Sequence, residues 1–224
     1  MIRPLLSTVS GVVVVLCSVN ILAADFALYP TGPSQDAAFI RFINATPAPL
    51  DVIGQAGQPP LRLETAQPAS LLFPVDSTKP VKGSLVSGAH KLALYMKVEP
   101  GEFATIVVVP QGAGIQQVAV RESPDDFNGL KASLAFVNVD KSCGDASLRP
   151  AGRTADLFKA VPVDSLQRRS INPVNLSVQL VCANVNVGAP LDLGALKAGE
   201  RYSVLLVPSA TGPRLLSATD TLSH

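Results

Sequence analysis

Gly101-Glu102-Phe103-Ala104-Thr105-Ile106-Val107-Val108-Val109-Pro110 is answered, without a gap, by Gly199-Glu200-Arg201-Tyr202-Ser203-Val204-Leu205-Leu206-Val207-Pro208, 98 residues later. In each stretch a Gly-Glu turn launches an apolar strand, and a Pro, which has no N–H to give to a ladder, ends it. Ile106-Val107-Val108-Val109 is β-branched throughout, which suits a strand packed on both faces or near a sheet centre. A second echo precedes each stretch: Phe42-Ile43-Asn44 resembles Phe136-Val137-Asn138 at a separation of 94. Two matches at nearly one spacing point to a duplicated β unit.

Outward from these anchors, apolar runs of four to eight residues alternate with Pro, Gly, Asn and Asp. They predict strands at 38–44, 50–53, 71–75, 90–98, 103–109 and 115–121. A second series falls at 132–139, 147–150, 157–161, 176–182, 202–207 and 215–218. Over 91–98 the alternation places Leu92, Leu94, Met96 and Val98 on one buried face. Gly112-Ala113-Gly114 precedes a strand and not a helix, so it reads as a hairpin turn and not a phosphate cradle. No window carries a helical period with caps. Composition agrees, with 16 Gly and 19 Pro in 224 residues against an ordinary share of roughly 12 %. The expected fold is all-β, with two tandem β-sandwich domains of about 100 residues each. They span 25–124 and 125–224, and the polar stretch 122–129 joins them.

Residues 1–24 have the layout of a secretory signal peptide: Arg3, an apolar stretch from Leu5 to Leu22, and Ala23-Ala24 before Asp25. The alternative is a retained anchor, because about 18 apolar residues is near the spanning minimum. Cys17 follows Leu16, not the small residue a lipoprotein site wants, so lipidation is not expected. Export leaves Cys143 and Cys182 as the only cysteines, and an exported pair is expected to be bridged. Closing that loop of 39 residues stabilises by roughly 3–4 kcal/mol in the chain-entropy model. A redox-active pair is the rival reading, without a Cys-x-x-Cys spacing to support it.

The chemistry-bearing residues are few. A net charge of +1 excludes a protein that meets nucleic acid through bulk electrostatics. Nucleophilic catalysis usually needs a base, most often His; here there are two, the terminal His224 and His90, which reads as exposed at a strand start. No Gly-x-Ser-x-Gly elbow occurs. Asp125-Asp126 lacks further ligands at loop spacing and reads as solvated linker. Neither catalytic residues, a cofactor nor a metal is expected. Asn44-Ala45-Thr46 and Asn175-Leu176-Ser177 fit the glycosylation pattern, which matters only in a eukaryotic secretory host. Sugar binding favours flat aromatic faces, but Trp is absent, and most of the eight Phe and three Tyr sit in strand patterns that core packing explains. Between Lys141 and Arg169 six basic residues face three acidic ones. Arg168 and Arg169 are therefore candidates for contact with an acidic polymer, with a solvated rim as the alternative.

Two phrases are distinctive. Ala27-Leu28-Tyr29-Pro30 leads to Ala38-Phe39-Ile40-Arg41-Phe42-Ile43-Asn44, and later comes Arg169-Ser170-Ile171-Asn172-Pro173-Val174. Their order and the chain length resemble the alginate O-acetylation accessory family AlgF. The resemblance implies a periplasmic protein of two β-sandwich domains without catalytic residues. It implies an adaptor that links a membrane acyl-transfer protein to periplasmic, membrane-anchored polysaccharide O-acetyltransferases. Carried over by position, the motif residues are Tyr29, Arg41, Asn44, Ile171, Asn172 and Pro173. Asn44 and Pro173 read as turn formers, and Arg41 fits an exposed strand face. Tyr29, Arg41 and Asn172, with Arg168 and Arg169, are the expected partner or polymer contacts. The rival class is a carbohydrate-binding module that contacts a polyuronate chain directly.

Overall fold

Ile106 and Val108 point to one side of their strand, Val107 and Val109 to the other, and both sides are buried. The computed structural model describes residues 37–54, 58–124 and 128–223, and every regular element in them is a strand. The leader 1–24, Tyr29 and the Asp125-Asp126 pair lie outside the described residues.

The first half contains β1 (Ala37–Asn44), β2 (Leu50–Ile53), β3 (Leu61–Leu63), β4 (Phe73–Asp76), β5 (Val81–Ser87), β6 (His90–Met96), β7 (Phe103–Gln111) and β8 (Gly114–Glu122). The second contains β9 (Ala132–Asn138), β10 (Asp145–Pro150), β11 (Phe158–Pro162), β12 (Ser165–Ile171), β13 (Asn175–Cys182), β14 (Val185–Ala195), β15 (Arg201–Val207) and β16 (Arg214–Thr219). The first half forms sheets β3-β2-β5-β6 and β4-β1-β7-β8; the second forms β11-β10-β13-β14 and β12-β9-β15-β16. Adding eight to every strand number of the first half reproduces the second. Even the exceptional parallel ladders correspond, β1 with β7 and β9 with β15.

Both sequence echoes are explained by that ladder. Phe39 pairs with Phe103, and Ser133, 94 residues beyond Phe39, pairs with Arg201, 98 beyond Phe103. The two spacings thus belong to the two strands of one ladder, set in the same register twice. Gly101 and Gly199 hold φ of 75° and 78° at the turn into β7 and β15, a conformation that L side chains adopt only at a cost. The carbonyls of Glu102 and Glu200 then accept from the N–H of Phe39 and Ser133, at 2.8 and 2.9 Å.

The strand period of two sorts the buried residues into three layers. Ala38, Ile40 and Phe42 of β1 meet Leu50, Leu85 and Leu94 inside the first sandwich. Leu134 and Phe136 of β9 meet Leu148, Val178 and Leu180 inside the second. The residues between them in sequence (Ile43, Val107, Val109, Val137, Val139, Leu205 and Val207) form a third cluster that draws on both halves. Sheets β4-β1-β7-β8 and β12-β9-β15-β16 are therefore inner layers, and the other two sheets are outer ones. A buried Val or Leu is worth about 1.5–3 kcal/mol, so this shared layer is a substantial cohesive term. The bridge expected between Cys143 and Cys182 is present, its Cα atoms 5.5 Å apart, and it ties the β9–β10 loop to the end of β13 within the second half.

Four strands escaped the sequence reading, for visible reasons. β3 has three residues. β5 interrupts its apolar pattern with Gly83 and Ser84, and β12 is mostly polar. β14 carries Gly188, Pro190 and Gly194, and its edge position tolerates the missing N–H. The run read as 71–75 starts its ladder only at Phe73.

Candidate functional site

The shared layer has a polar end. Two residues from Ile43, Val107, Val120, Leu166, Leu205 and Ala218 stand Arg41, Thr105, Glu122, Arg168, Ser203 and Asp220. Each polar side chain thus leaves its strand on the same face as an apolar member of the layer.

Arg41 is 3 % exposed, and all three of its guanidinium nitrogens are used. Nε donates to Thr105 Oγ1 at 2.9 Å, Nη1 to Asp220 Oδ1 at 2.5 Å, and Nη2 to Ser203 Oγ at 2.8 Å. The Ser203 hydroxyl in turn donates to Asp220 Oδ1 at 2.8 Å. The other oxygen of Asp220 accepts from Arg168 Nη2 at 2.7 Å. Arg168 also forks onto Glu122, its Nε to Oε1 and its Nη2 to Oε2 at 3.0 Å. Arg201 Nη2 reaches Glu122 Oε1 at 3.3 Å. Both oxygens of both carboxylates are therefore engaged, and the cluster closes on itself across the two halves.

Burial alone would push the Asp220 carboxyl up. The charges of Arg41 and Arg168, with the Ser203 hydroxyl, outweigh burial and hold it below its ordinary range. Burial likewise works against charge on Arg168, yet Glu122 and Asp220 keep it more firmly protonated than a free guanidinium. Buried ion pairs roughly break even against their desolvation. Cohesion between the halves thus comes from the apolar end, and the ionic end fixes how they register.

The members are themselves partly duplicated. Thr105 and Ser203 are 98 residues apart, as are Glu122 and Asp220. The arginines are not equivalent: Arg41 lies on β1, whereas its counterpart Ala135 on β9 is paired with Arg168 of the neighbouring β12. The two hydroxyls, Thr105 and Ser203, stand at matching places of the repeat alignment, but nothing in one dimension showed that they meet or that Glu122 and Asp220 join them.

Arg41, expected on an exposed strand face, is buried at this seam, and Arg168, 12 % exposed along its side chain, is beside it. Arg169 is exposed and donates to the carbonyl of Leu157 at 2.6 Å, away from the cluster. Asn172 is exposed and accepts from Lys131 Nζ. Ile171 pairs with Ala132 at the end of β12 and packs against the second core. Asn44 is fully buried, so its glycosylation pattern is inert; Oδ1 accepts from the N–H of Thr46, and Nδ2 donates to the carbonyls of Ala48 and Leu63. Asn138, 94 residues on, repeats the arrangement with Asp140, Cys143 and Val161. The turn-forming reading of Asn44 is what the structure displays, twice. His90 is exposed at the start of β6. Among the described residues, no group of three or more His, Cys, Asp or Glu gathers to hold a metal ion.

These features define a class: a duplicated all-β protein of two sandwich-like halves, joined by an apolar layer with an ionic end. The chain matches the family model described as "Alginate O-acetyl transferase AlgF" over residues 11–203, and it belongs to the AlgF family, which is implicated in alginate O-acetylation. Among solved structures it is similar to the C-terminal domain of AlgF from P. aeruginosa, with 24 % identity over 40 % of this chain and 98 % of that one, at a TM-score of 0.34. It is also similar to the family CBM26 module CBMbc from Eubacterium rectale Amy13K, solved in complex with maltoheptaose, with 10 % identity over 81 % and 96 % of the two chains, at a TM-score of 0.26. A putative cell adhesion protein from Bacteroides ovatus gives 8 % identity over 85 % and 99 %, at 0.28. No curated protein matches.

Proposed function

We propose that this chain is a periplasmic, non-catalytic adaptor in the O-acetylation of alginate or a similar exopolysaccharide. It links a membrane acyl-transfer protein to periplasmic, membrane-anchored acetyltransferases. The observation that carries this reading is the closed ionic cluster. Its charged groups are committed to one another at a seam between two halves, which suits a part that holds a shape. Four stacked sheets at about 10 Å spacing put the two outer layers roughly 30 Å apart. An adaptor needs two such faces at fixed separation. Family membership supports the pathway, and the Cys143–Cys182 bridge supports an oxidising compartment.

Deleting the gene tests the role: acetyl content is expected to fall while polymer yield persists, and full acetylation in the deletion strain excludes it. Purified chain given an acetyl donor and alginate is expected to transfer nothing, and acetate moved without a partner overturns the non-catalytic reading.

A further inference from the structure

The two halves tie the same loop to the same hairpin by different chemistry. In the first half the Thr46 hydroxyl, two residues past Asn44, lies 2.7 Å from the hydroxyl of Ser87, which holds the β1–β2 loop to the end of β5. Ser87 is the last residue of its strand and closes a two-residue hairpin with His90. Cys182, the last residue of β13, closes the matching hairpin with Val185. Asp140, two residues past Asn138, stands where Thr46 stands: the N–H of each donates to the side-chain oxygen of its asparagine at 3.0 Å. Cys182 thus takes the place of Ser87, and its sulfur is bonded to Cys143, whose Cα is 5.5 Å away.

That exchange leaves the second half with an acceptor and no donor. Asp140 is 2 % exposed. Its Oδ1 accepts from the N–H of Ser142 at 2.8 Å and from the Ser142 hydroxyl at 2.7 Å. Its Oδ2 is buried without a hydrogen-bond donor among the described residues. A carboxylate oxygen buried in that way is costly. The side chain that offers a hydroxyl at the equivalent place in the first half is here a sulfur without a hydrogen. A thiol would have one. The bridge is also within reach of solvent. Cys143 is 3 % exposed, but Cys182 is half-buried, and both line a surface concavity of about 460 Å³ with Gly144, Lys159, Ala160 and Asn184.

We propose that Cys143–Cys182 is an exchangeable bridge that a dithiol opens from this concavity, and that Asp140 is the positioning residue that accepts from the freed Cys182 thiol. A thiolate of the dithiol attacks Cys182 Sγ, the more exposed sulfur, and the Sγ–Sγ bond breaks with its electron pair on Cys143 Sγ. The second thiol of the reagent, as thiolate, then attacks the reagent's own sulfur in the mixed disulfide and releases Cys182. The dithiol is oxidised to a disulfide, and its two electrons and two protons end on the two cysteines. Cys182 S–H donates to Asp140 Oδ2, which favours the reduced pair. The proposal is independent of the adaptor role, because the reaction needs only a dithiol and this chain.

Equilibrating the purified full chain with mixtures of reduced and oxidised dithiothreitol, then alkylating the thiols and counting them by mass spectrometry, tests the site. Wild type is expected to open the bridge while its circular dichroism stays that of the folded protein. Asp140→Asn keeps the oxygen that serves Ser142 and removes the second acceptor. It is expected to lower the equilibrium constant for reduction about tenfold, or about 30 mV in potential. Asp145→Asn, at an exposed carboxylate of the same concavity, is expected to leave it unchanged. The infrared S–H band of Cys182 in the reduced wild type is expected at lower frequency than in reduced Asp140→Asn, a readout that a loss of stability would not move. In a Cys143→Ala background, Cys182→Ser is expected to melt about 3 °C above Cys182→Ala, its hydroxyl serving Asp140 as Ser87 serves Thr46. A bridge that opens only as the chain unfolds, equal potentials for wild type and Asp140→Asn, an equal shift in Asp145→Asn, an unshifted S–H band, or equal melting of the serine and alanine variants each overturns the proposal.

Discussion

The two halves share one topology and one ladder register, yet they differ in what they do with charge. The first half buries Arg41 on its inner sheet and sets Lys82 over the exposed Tyr95 ring on its outer one. The second half has Ala135 where Arg41 would stand, supplies its arginine from the next strand, and carries the disulfide. A duplicated scaffold fixes where side chains point but not which residues occupy those positions. The difference shows how a repeat diverges: positions that set the backbone, such as Gly101 with Gly199 and Asn44 with Asn138, stayed the same. At the seam the hydroxyls and carboxylates kept their chemistry, Thr105 with Ser203 and Glu122 with Asp220, whereas the arginines went separate ways.

The sharpest way to break this comparison is at the seam. Arg41→Ala takes one of two guanidinium partners from the buried Asp220 carboxylate, leaving it Arg168 and Ser203, and is expected to cost about 3–5 kcal/mol. Urea unfolding should record that loss in one cooperative transition, because the shared layer couples the halves. A double-mutant cycle with Asp220→Asn is expected to give a coupling of about 1–3 kcal/mol. Two transitions, only one of them shifted, would show that the halves unfold independently.

Next in size is the bridge that only the second half possesses. Reducing Cys143–Cys182, or replacing both residues with Ala, is expected to cost about 3–4 kcal/mol. The same single transition should move, read by the same titration, and mass spectrometry of oxidised protein should find no free thiol at either position.

The repeated asparagines give a matched pair. Asn44→Ala and Asn138→Ala each leave a buried N–H and two carbonyls short of a partner, at about 1–3 kcal/mol apiece. Similar losses by calorimetry would sharpen the equivalence of the halves, and a large disparity would blunt it.

Acid gives the smallest effect. The folded-state value of Asp220 lies below its ordinary 3.8, so its contribution is fully present above about pH 4 and is lost as pH falls through the folded value. Stability followed between pH 5 and pH 2 should therefore decline, and Asp220→Asn should remove this group's share of the slope.

Much of this was legible in one dimension. β-Branched runs, the period of two and Pro stops are local signals, and they found twelve of the sixteen strands among the described residues, the repeat and the both-face packing of β7. Export logic and cysteine count named the bridge. The four missed strands carry Gly, Pro or polar residues where ladder position, not local preference, makes them extended. At the seam, Arg41 is an arginine in a strand, and alternation says only that it faces away from Phe42. Whether that side is water or a second sheet depends on contacts 162 and 179 residues away, with Ser203 and Asp220.

The sequence by itself determined the β class, the duplicated order of strands, the turns at Gly101 and Asn44, and the cysteine pairing, because each follows from backbone preference, periodicity or count. Tertiary structure alone decided that the halves share a buried layer, that Arg41 and Arg168 converge on Asp220, and that Tyr95 is exposed with Lys82 over its ring. Those outcomes depend on which sheet face meets which, and a charge is buried or open only according to what the rest of the fold brings against it.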